Sequence, residues 1–268
     1  MESVAEQHSP LRRSSSTEPS DAGGVRSVQR AMEILSLLTE TQPSVTIREI
    51  VDRTGLAKTT VIRLVQTLEQ NGLLWATSRG YTAGPGLWRW AHLAQRSWEV
   101  PPETRQLMRD LAAAHRETVN LYMTRDVNRV CVAQEESPQA LRHVVRVGDE
   151  LPMWAGASSK VLLHDAGPAM LVRIATNSPW GDGHADTLRE WAREATANGY
   201  ATSAGEREPG LSAVAVPVTG RSVSVVAALC LSGPTLRFTP ERVAEFIPAL
   251  QEAAARMSEK GFDHPLAG

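Results

Sequence analysis

Lys58, Thr59, Thr60 and Arg63 are the residues of this chain whose types and spacing could most directly do chemistry. They stand in the stretch IREIVDRTGLAKTTVIRLVQTL, residues 47–68, on the side away from Val61, Leu64, Val65 and Leu68. Ammonium, guanidinium and hydroxyl groups on the outer face of a helix start are the types that bond phosphate oxygens and base edges in a major groove. Other candidates are weaker. Ser158-Ser159-Lys160 places hydroxyls beside an amine, but acyl-transfer spacing requires a serine three before Lys160, where Ala157 stands. Glu206 and Glu208 are two carboxylates in the turn-rich SAGEREPG stretch, and Glu208 reads as solvated. Cys131 and Cys230 lack a CxxC neighbour or zinc-ligand spacing. They read as reduced thiols, Cys230 as a small buried residue in VVAALCL. No nucleophile–base pair, metal set or phosphate loop stands out, so no catalytic residue, metal or cofactor is expected.

The elements that must hold the 58–63 face are legible in apolar spacing. Ile47, Ile50 and Val51 share one face of a short helix, and Gly55 breaks it. Val61, Leu64, Val65 and Leu68 recur at i, i+3, i+4 and i+7 on a second helix. Two such helices around a glycine turn form a helix-turn-helix, with an ordinary helical hairpin bearing a basic solvated face as the alternative. A helix over Arg26–Thr39, with Val28, Met32, Leu35 and Leu38 inward, precedes them. Thr46 is placed to cap the first helix of the pair. Asn71-Gly72 stops the second helix. Leu73-Leu74-Trp75 and Tyr81-Thr82 then flank Ser78-Arg79-Gly80 as a hairpin, a wing with Arg79 at its tip. Leu87–Glu99 reads as a helix opened by Gly84-Pro85-Gly86, with Leu87, Ala91, Ala94 and Trp98 on one face and Trp88 and Trp90 beside it. Such a helix packs against something, a partner chain or its own domain.

Beyond Pro102 the texture mixes strands with helices. A helix over Thr104–His115 is followed by alternating segments at Val119, Leu121 and Met123, at Val130 and Val132, and at Leu141, His143, Val145 and Val147. Helices are expected at Ser158–His164, Ala169–Ala175, Thr187–Ala197 and from Pro240 to about Ser258. Strands are expected at Ser212–Val218 and Ser224–Leu231. The fold class is α+β, with a mostly antiparallel sheet in the second half. The expected division is a disordered Ser-, Glu- and Pro-rich tail at 1–23, a DNA-binding domain at 24–86, a linker helix at 87–101, a sensing domain at 102–260 and a tail at 261–268.

Composition agrees with two functions in one chain. The 268 residues carry a net charge of -2, yet the stretch from Gly24 to Trp90 holds eight bases against five acids. A mildly basic front on an acidic remainder excludes a general nucleic-acid coat and suits a DNA reader with a regulatory body. No signal peptide and no apolar run of about 20 residues is present, so a cytoplasmic protein without a membrane span is expected.

The chain resembles the IclR family of bacterial transcriptional regulators over roughly Gly24–Ala255. The resemblance rests on SVQRAMEILSLL, IREIVDRTGLAKTTVIRLVQTLEQNGLL and YTAGPGLW in the front half. In the back half it rests on RVGDELPMWAGASSKVLL, EREPGLSAVAVPV and AALCLSGP. It implies a winged helix-turn-helix that binds double-stranded operator DNA. It also implies a GAF- or profilin-like domain that senses a small carboxylic acid, and a homodimer or homotetramer. Expected DNA contacts are Arg26, Thr46, Lys58, Thr59, Thr60, Arg63, Arg79 and Tyr81. Carried over position by position, the effector pocket comprises His143, Leu151, Trp154, Gly156, Ala157, Ser158, Ser203, Glu206, Leu211, Ala213, Cys230 and Ser232. Unpaired N–H groups at the helix start near Gly156 would favour a carboxylate.

Four departures bear on that pocket. Trp154 stands where the family often has His, Ser159 where it often has Gly, Ala213 where it often has Cys, and Cys230 where it often has Ser. Fewer polar handles would suit an effector larger or more apolar than a two- or three-carbon acid. The expected function is a ligand-responsive regulator, a repressor more than an activator. A small-acid enzyme and a winged helix that binds protein are the readings from other classes.

Overall fold

The computed structural model describes residues 25–39, 41–220, 224–259 and 262. The expected tails at 1–23 and 261–268 lie outside the described residues, apart from Phe262, which is buried. The chain divides into two compact units, Met1–Leu93 and Ala94–Gly268. The division falls inside a helix, within the expected linker at 87–101.

In the first unit, α1 (Arg26–Ser36), α2 (Ile47–Thr54) and α3 (Lys58–Gln70) surround a core of Ile34, Val45, Ile50, Val61, Val65, Leu68 and Leu74. The α2 start is a full capping box. The Thr46 hydroxyl accepts from the Glu49 N–H at 3.2 Å, and Glu49 Oε2 accepts from the Thr46 N–H at 2.7 Å. Gly55, left-handed at φ 67°, ends α2 and turns the chain into α3. The α1 face differs from expectation. Ile34 is its buried residue, while Val28 and Met32 are 59% and 57% exposed. The apolar spacing is real, but much of it points outward.

The wing is β2 (Leu74–Thr77) and β3 (Gly80–Ala83), and a third strand joins them. β1 (Ser44–Val45) pairs antiparallel with β3 in the order β1-β3-β2. Two residues before a helix carry no periodicity, so β1 is invisible in sequence. Gly80, at φ 121°, allows the approach: a Cβ there would lie 2.6 Å from the Val45 carbonyl oxygen. The helix that follows, α4 (Gly86–Trp98), has no buried residue, and Trp88 is 80% exposed.

The second unit is a six-stranded antiparallel sheet in the order β6-β5-β4-β9-β8-β7, covered by helices on both faces. Its strands are β4 (Thr118–Arg125), β5 (Asn128–Glu135), β6 (Glu150–Pro152), β7 (Ala201–Ala204), β8 (Leu211–Thr219) and β9 (Val225–Pro234). α5 (Pro102–His115) and α9 (Pro240–Glu259) pack on Val119, Leu121, Met123, Val214, Val216, Leu229 and Leu231. α6 (Ala157–Leu162), α7 (Pro168–Thr176) and α8 (His184–Asn198) pack on the opposite face, against Tyr122, Cys131, Ala215, Ala228 and Cys230. The alternation of each strand therefore divides its residues between two cores.

The segment expected as a strand over Leu141–Val147 is not one. His143 is half-buried and Val145 is buried, but Leu141, Val144 and Val147 are exposed. Side chains take the place of a ladder. Val145 N–H donates to Gln134 Oε1 at 2.7 Å, and Thr118 Oγ1 donates to the His143 carbonyl at 2.7 Å. Register in β4–β5 shifts by one residue between Leu121 and Tyr122, a bulge that no alternation pattern reveals.

Gly80→Ala is expected to destabilise the first unit by about 1–3 kcal/mol, by combining a strained φ with a clash against Val45. Urea unfolding of the full chain checks this, and an unchanged midpoint would refute the role given to Gly80.

Candidate functional site

The α3 face expected to meet DNA is accessible. Lys58, Thr59 and Arg63 are exposed, and Thr60 is half-buried. Among the described residues, the Lys58, Thr59 and Arg63 side chains make no hydrogen bond or ion pair. Arg79 is exposed in the wing turn, Tyr81 packs partly against the core and Arg26 opens α1. Thr46 is committed to its cap, its hydroxyl donating to Glu49 Oε2 at 2.8 Å while accepting the Glu49 N–H.

In the second unit, a cavity opens between the sheet and α6. Ser203, Ala213 and Ser232 lie opposite one another across β7, β8 and β9, with Cys230 two residues back on the same face. Gly156, Ala157 and Ser158 close it from the α6 start, Leu151 from β6, Leu211 from the first residue of β8, and His143 and Glu206 from connecting segments. Eleven of the twelve expected pocket residues therefore meet here. The twelfth, Trp154, does not. Its ring packs edge-on to Trp180, outside the cavity lining. An indole is bulkier than the imidazole often found at this position, and here it turns into a neighbouring aromatic cluster.

Four further residues line the cavity: Tyr122, Arg129, Arg207 and Glu208. Tyr122 and Arg129 alternate out of phase with the apolar residues of their strands, which in a half-exposed sheet would place them in solvent. Helices on both faces bury them instead. Glu208 is exposed, as the sequence suggests, and its carboxylate meets Arg207 Nη1 at 2.5 Å at the cavity rim.

Arg129 is 4% exposed. Its Nη1 donates to the carbonyls of Pro152 and Ala155 and to Ser159 Oγ, the Ala155 bond measuring 3.1 Å. Its Nε is buried with no hydrogen-bond partner, and no carboxylate pairs with the guanidinium among the described residues. The Tyr122 ring lies 5.5 Å from it. Burial, with Arg207 nearby, pulls its pKa down to about 10, so it remains a cation at neutral pH. Gly156, at φ 101°, lets it fit: a Cβ there would come within 3.2 Å of Arg129 Nη2.

The helix-start donor expected to receive an effector carboxylate already has one. Gly156 N–H donates to Glu206 Oε2 at 3.0 Å, and Lys160 Nζ donates to Glu206 Oε1 at 2.5 Å. A second polar chain runs along the other wall. Asn120 Nδ2 donates to Ser232 Oγ at 3.0 Å, His143 Nδ1 lies 3.2 Å from the same oxygen, and Arg207 Nη2 lies 3.4 Å from His143 Nε2. Arginine can only donate, so His143 Nε2 accepts and its proton sits on Nδ1. The pocket thus has more polar handles than the sequence departures suggested. The Cys230 thiol, pushed by burial up to about 12, is a neutral part of the wall.

The comparisons with known proteins agree with this geometry. The IclR helix-turn-helix domain matches residues 27–75, and the bacterial transcriptional regulator IclR C-terminal domain matches residues 92–259. The chain belongs to the IclR family. A putative IclR-family regulator from Rhodococcus sp. is 39% identical, covering 94% of this chain and 100% of its own, with a TM-score of 0.62. The acetate operon repressor of Salmonella typhimurium is 26% identical over 92% of this chain and 94% of its own. An IclR homologue from Microbacterium hydrocarbonoxydans, solved with 4-hydroxybenzoate, shares the fold. It has a TM-score of 0.70 and 23% identity over 87% of this chain and 98% of its own. The protein is a helix-turn-helix transcriptional regulator of this family.

Burial and Arg207 hold the His143 imidazole below its ordinary value. The unfolded chain takes up that proton near pH 6.5. The stability it contributes is therefore complete above about pH 6.5 and is lost as pH falls toward the folded value. His115, also lowered by burial, acts with the same sign. Urea midpoints of the second unit should fall between pH 7 and 5.5, and less steeply in His143→Gln. An equal slope in both proteins would contradict the assignment.

Proposed function

We propose that this regulator is a cytoplasmic repressor whose operator affinity is set by a small organic monoanion held on Arg129. The observation that carries the reading is the buried guanidinium without a carboxylate. Glu206 is paired with Lys160 and Glu208 with Arg207, so Arg129 leaves the cavity one positive charge in excess. A carboxylate supplies the missing charge and can accept from Nε and Nη2 together. The Ser232 hydroxyl, accepting from its neighbours, keeps its own proton for a ligand acceptor. The homologue bound to 4-hydroxybenzoate and the acetate operon repressor support an acid effector and negative regulation.

Size bears on how binding is communicated. The cavity volume is only about 30 Å³. An aromatic acid needs the loop that carries Glu206, Arg207 and Glu208 to yield. Gly205 and Gly210, both at positive φ, bracket that loop. An effector that binds the yielded form shifts the population toward it, and the differential affinity is what reaches the DNA. The same reading assigns the exposed apolar residues Val28 and Met32 of α1, and Trp88, Trp90 and Leu93 of α4, to contact with a second copy of the chain.

Two outcomes test the reading. Fluorescence anisotropy on DNA from upstream of the protein's own gene should show salt-sensitive, sequence-selective binding. Arg63→Ala and Lys58→Ala should each weaken it and lower the salt slope by about one. Unchanged affinity in both variants would mean that α3 does not read DNA. In the same assay, carboxylic acids should release the DNA while the matching amides do not. Arg129→Met should weaken the acid response about 10–100-fold, the worth of a charge-assisted hydrogen-bond pair. Amides acting as well as acids would sink the monoanion reading.

A further inference from the structure

The displacement of Trp154 from the effector cavity opens a second question. Its ring meets Trp180 at 5.4 Å, Trp180 meets His184 at 4.6 Å and His184 meets Trp191 at 5.3 Å. These rings stand beside a surface groove of about 440 Å³ that shares Glu206 alone with the lining of the effector cavity. Trp180, His184, Trp191 and Glu206 line it, with Gly183 and Thr187. The wall is fixed in place. His184 Nε2 donates to the Trp154 carbonyl at 2.8 Å, and Asp182 beside it accepts from Thr176. Yet Trp180 remains 55% exposed. A rigid, partly uncovered indole wall with a carboxylate in it is unlike a packed core and unlike a solvated loop.

The groove lining is electron-rich, although the Glu206 carboxylate in it is bonded to Lys160. Aromatic faces carry negative potential, and Glu206 adds a carboxylate. Two of these groove residues already hold a cation of the chain's own beside the groove: Lys160 Nζ, outside the groove lining, sits 4.3 Å from the Trp191 ring centre while bonded to Glu206 and to the Thr202 carbonyl. The geometry points to this groove as a second ligand site that takes an organic ammonium ion, its alkyl groups against Trp180 and Trp191 and its charge toward Glu206. The site stands apart from the monoanion reading, since none of its aromatic residues lines the effector cavity. Glu206 lines both spaces, so an ammonium ion drawing on its charge loosens its hold on Lys160 and on the Gly156 N–H at the effector cavity.

Isothermal titration of the full chain with choline chloride, and with its uncharged isostere 3,3-dimethylbutan-1-ol, tests the site. Choline is expected to bind saturably and at least about tenfold more tightly than the alcohol, as a partly desolvated cation–π site requires. Trp180→Leu, at an exposed position, and Trp191→Leu should each abolish that preference, and Glu206→Gln should reduce it while leaving the alcohol unaffected. An alcohol that binds as tightly as choline, a choline signal that survives both tryptophan substitutions, or no saturable heat at all would each overturn the proposal.

Discussion

Everything in the second unit follows from covering one antiparallel sheet on both faces. A sheet open to water on one side can leave its polar residues there. This one cannot, because α5 and α9 take one face and α6 to α8 take the other. On the first face, large aliphatic residues of β4, β8 and β9 pack against α5 and α9. On the second, small residues such as Ala213 and Cys230 leave space between the sheet and the α6 start, and the cavity is what remains. The proposed ligand site lies where the packing of the fold is thinnest.

The same constraint explains the charge at the site. Burying a guanidinium without a counterion is costly, and the chain offsets that cost with dipoles: two carbonyls and a serine hydroxyl. Dipoles solvate the charge without neutralising it. The carboxylates nearby are engaged, Glu206 by Lys160 and the Gly156 N–H, Glu208 by Arg207. Electrostatic selectivity is therefore built into the resting structure by arranging who is paired with whom.

Much of this was legible in the sequence. The helix-turn-helix, the wing and the long strands β8 and β9 declare themselves by period, and the family resemblance placed most of the cavity lining. What was not legible has physical causes. β1 and β7 are too short for a period to show. The 141–147 segment alternates like a strand, but Gln134 and Thr118 satisfy its backbone in place of a neighbour. Arg129 was overlooked because a charge between Val130 and a polar neighbour reads as solvent-facing, and only the helices on the far side of the sheet make it internal. Trp154 was placed by alignment, but its volume sends it to Trp180.

The division of labour between the two units has an evolutionary consequence. Among the described residues the Lys58, Thr59 and Arg63 side chains hold nothing else together, so under the proposed reading the recognised DNA sequence can drift by substitution on α3 with little penalty to folding. Arg129, Gly156 and Glu206 are at once proposed ligand groups and structural ties, and a change in any of them must be compensated by others. Lineages descended from such a regulator should therefore acquire new target genes one mutation at a time, but new inducers only through several coordinated changes.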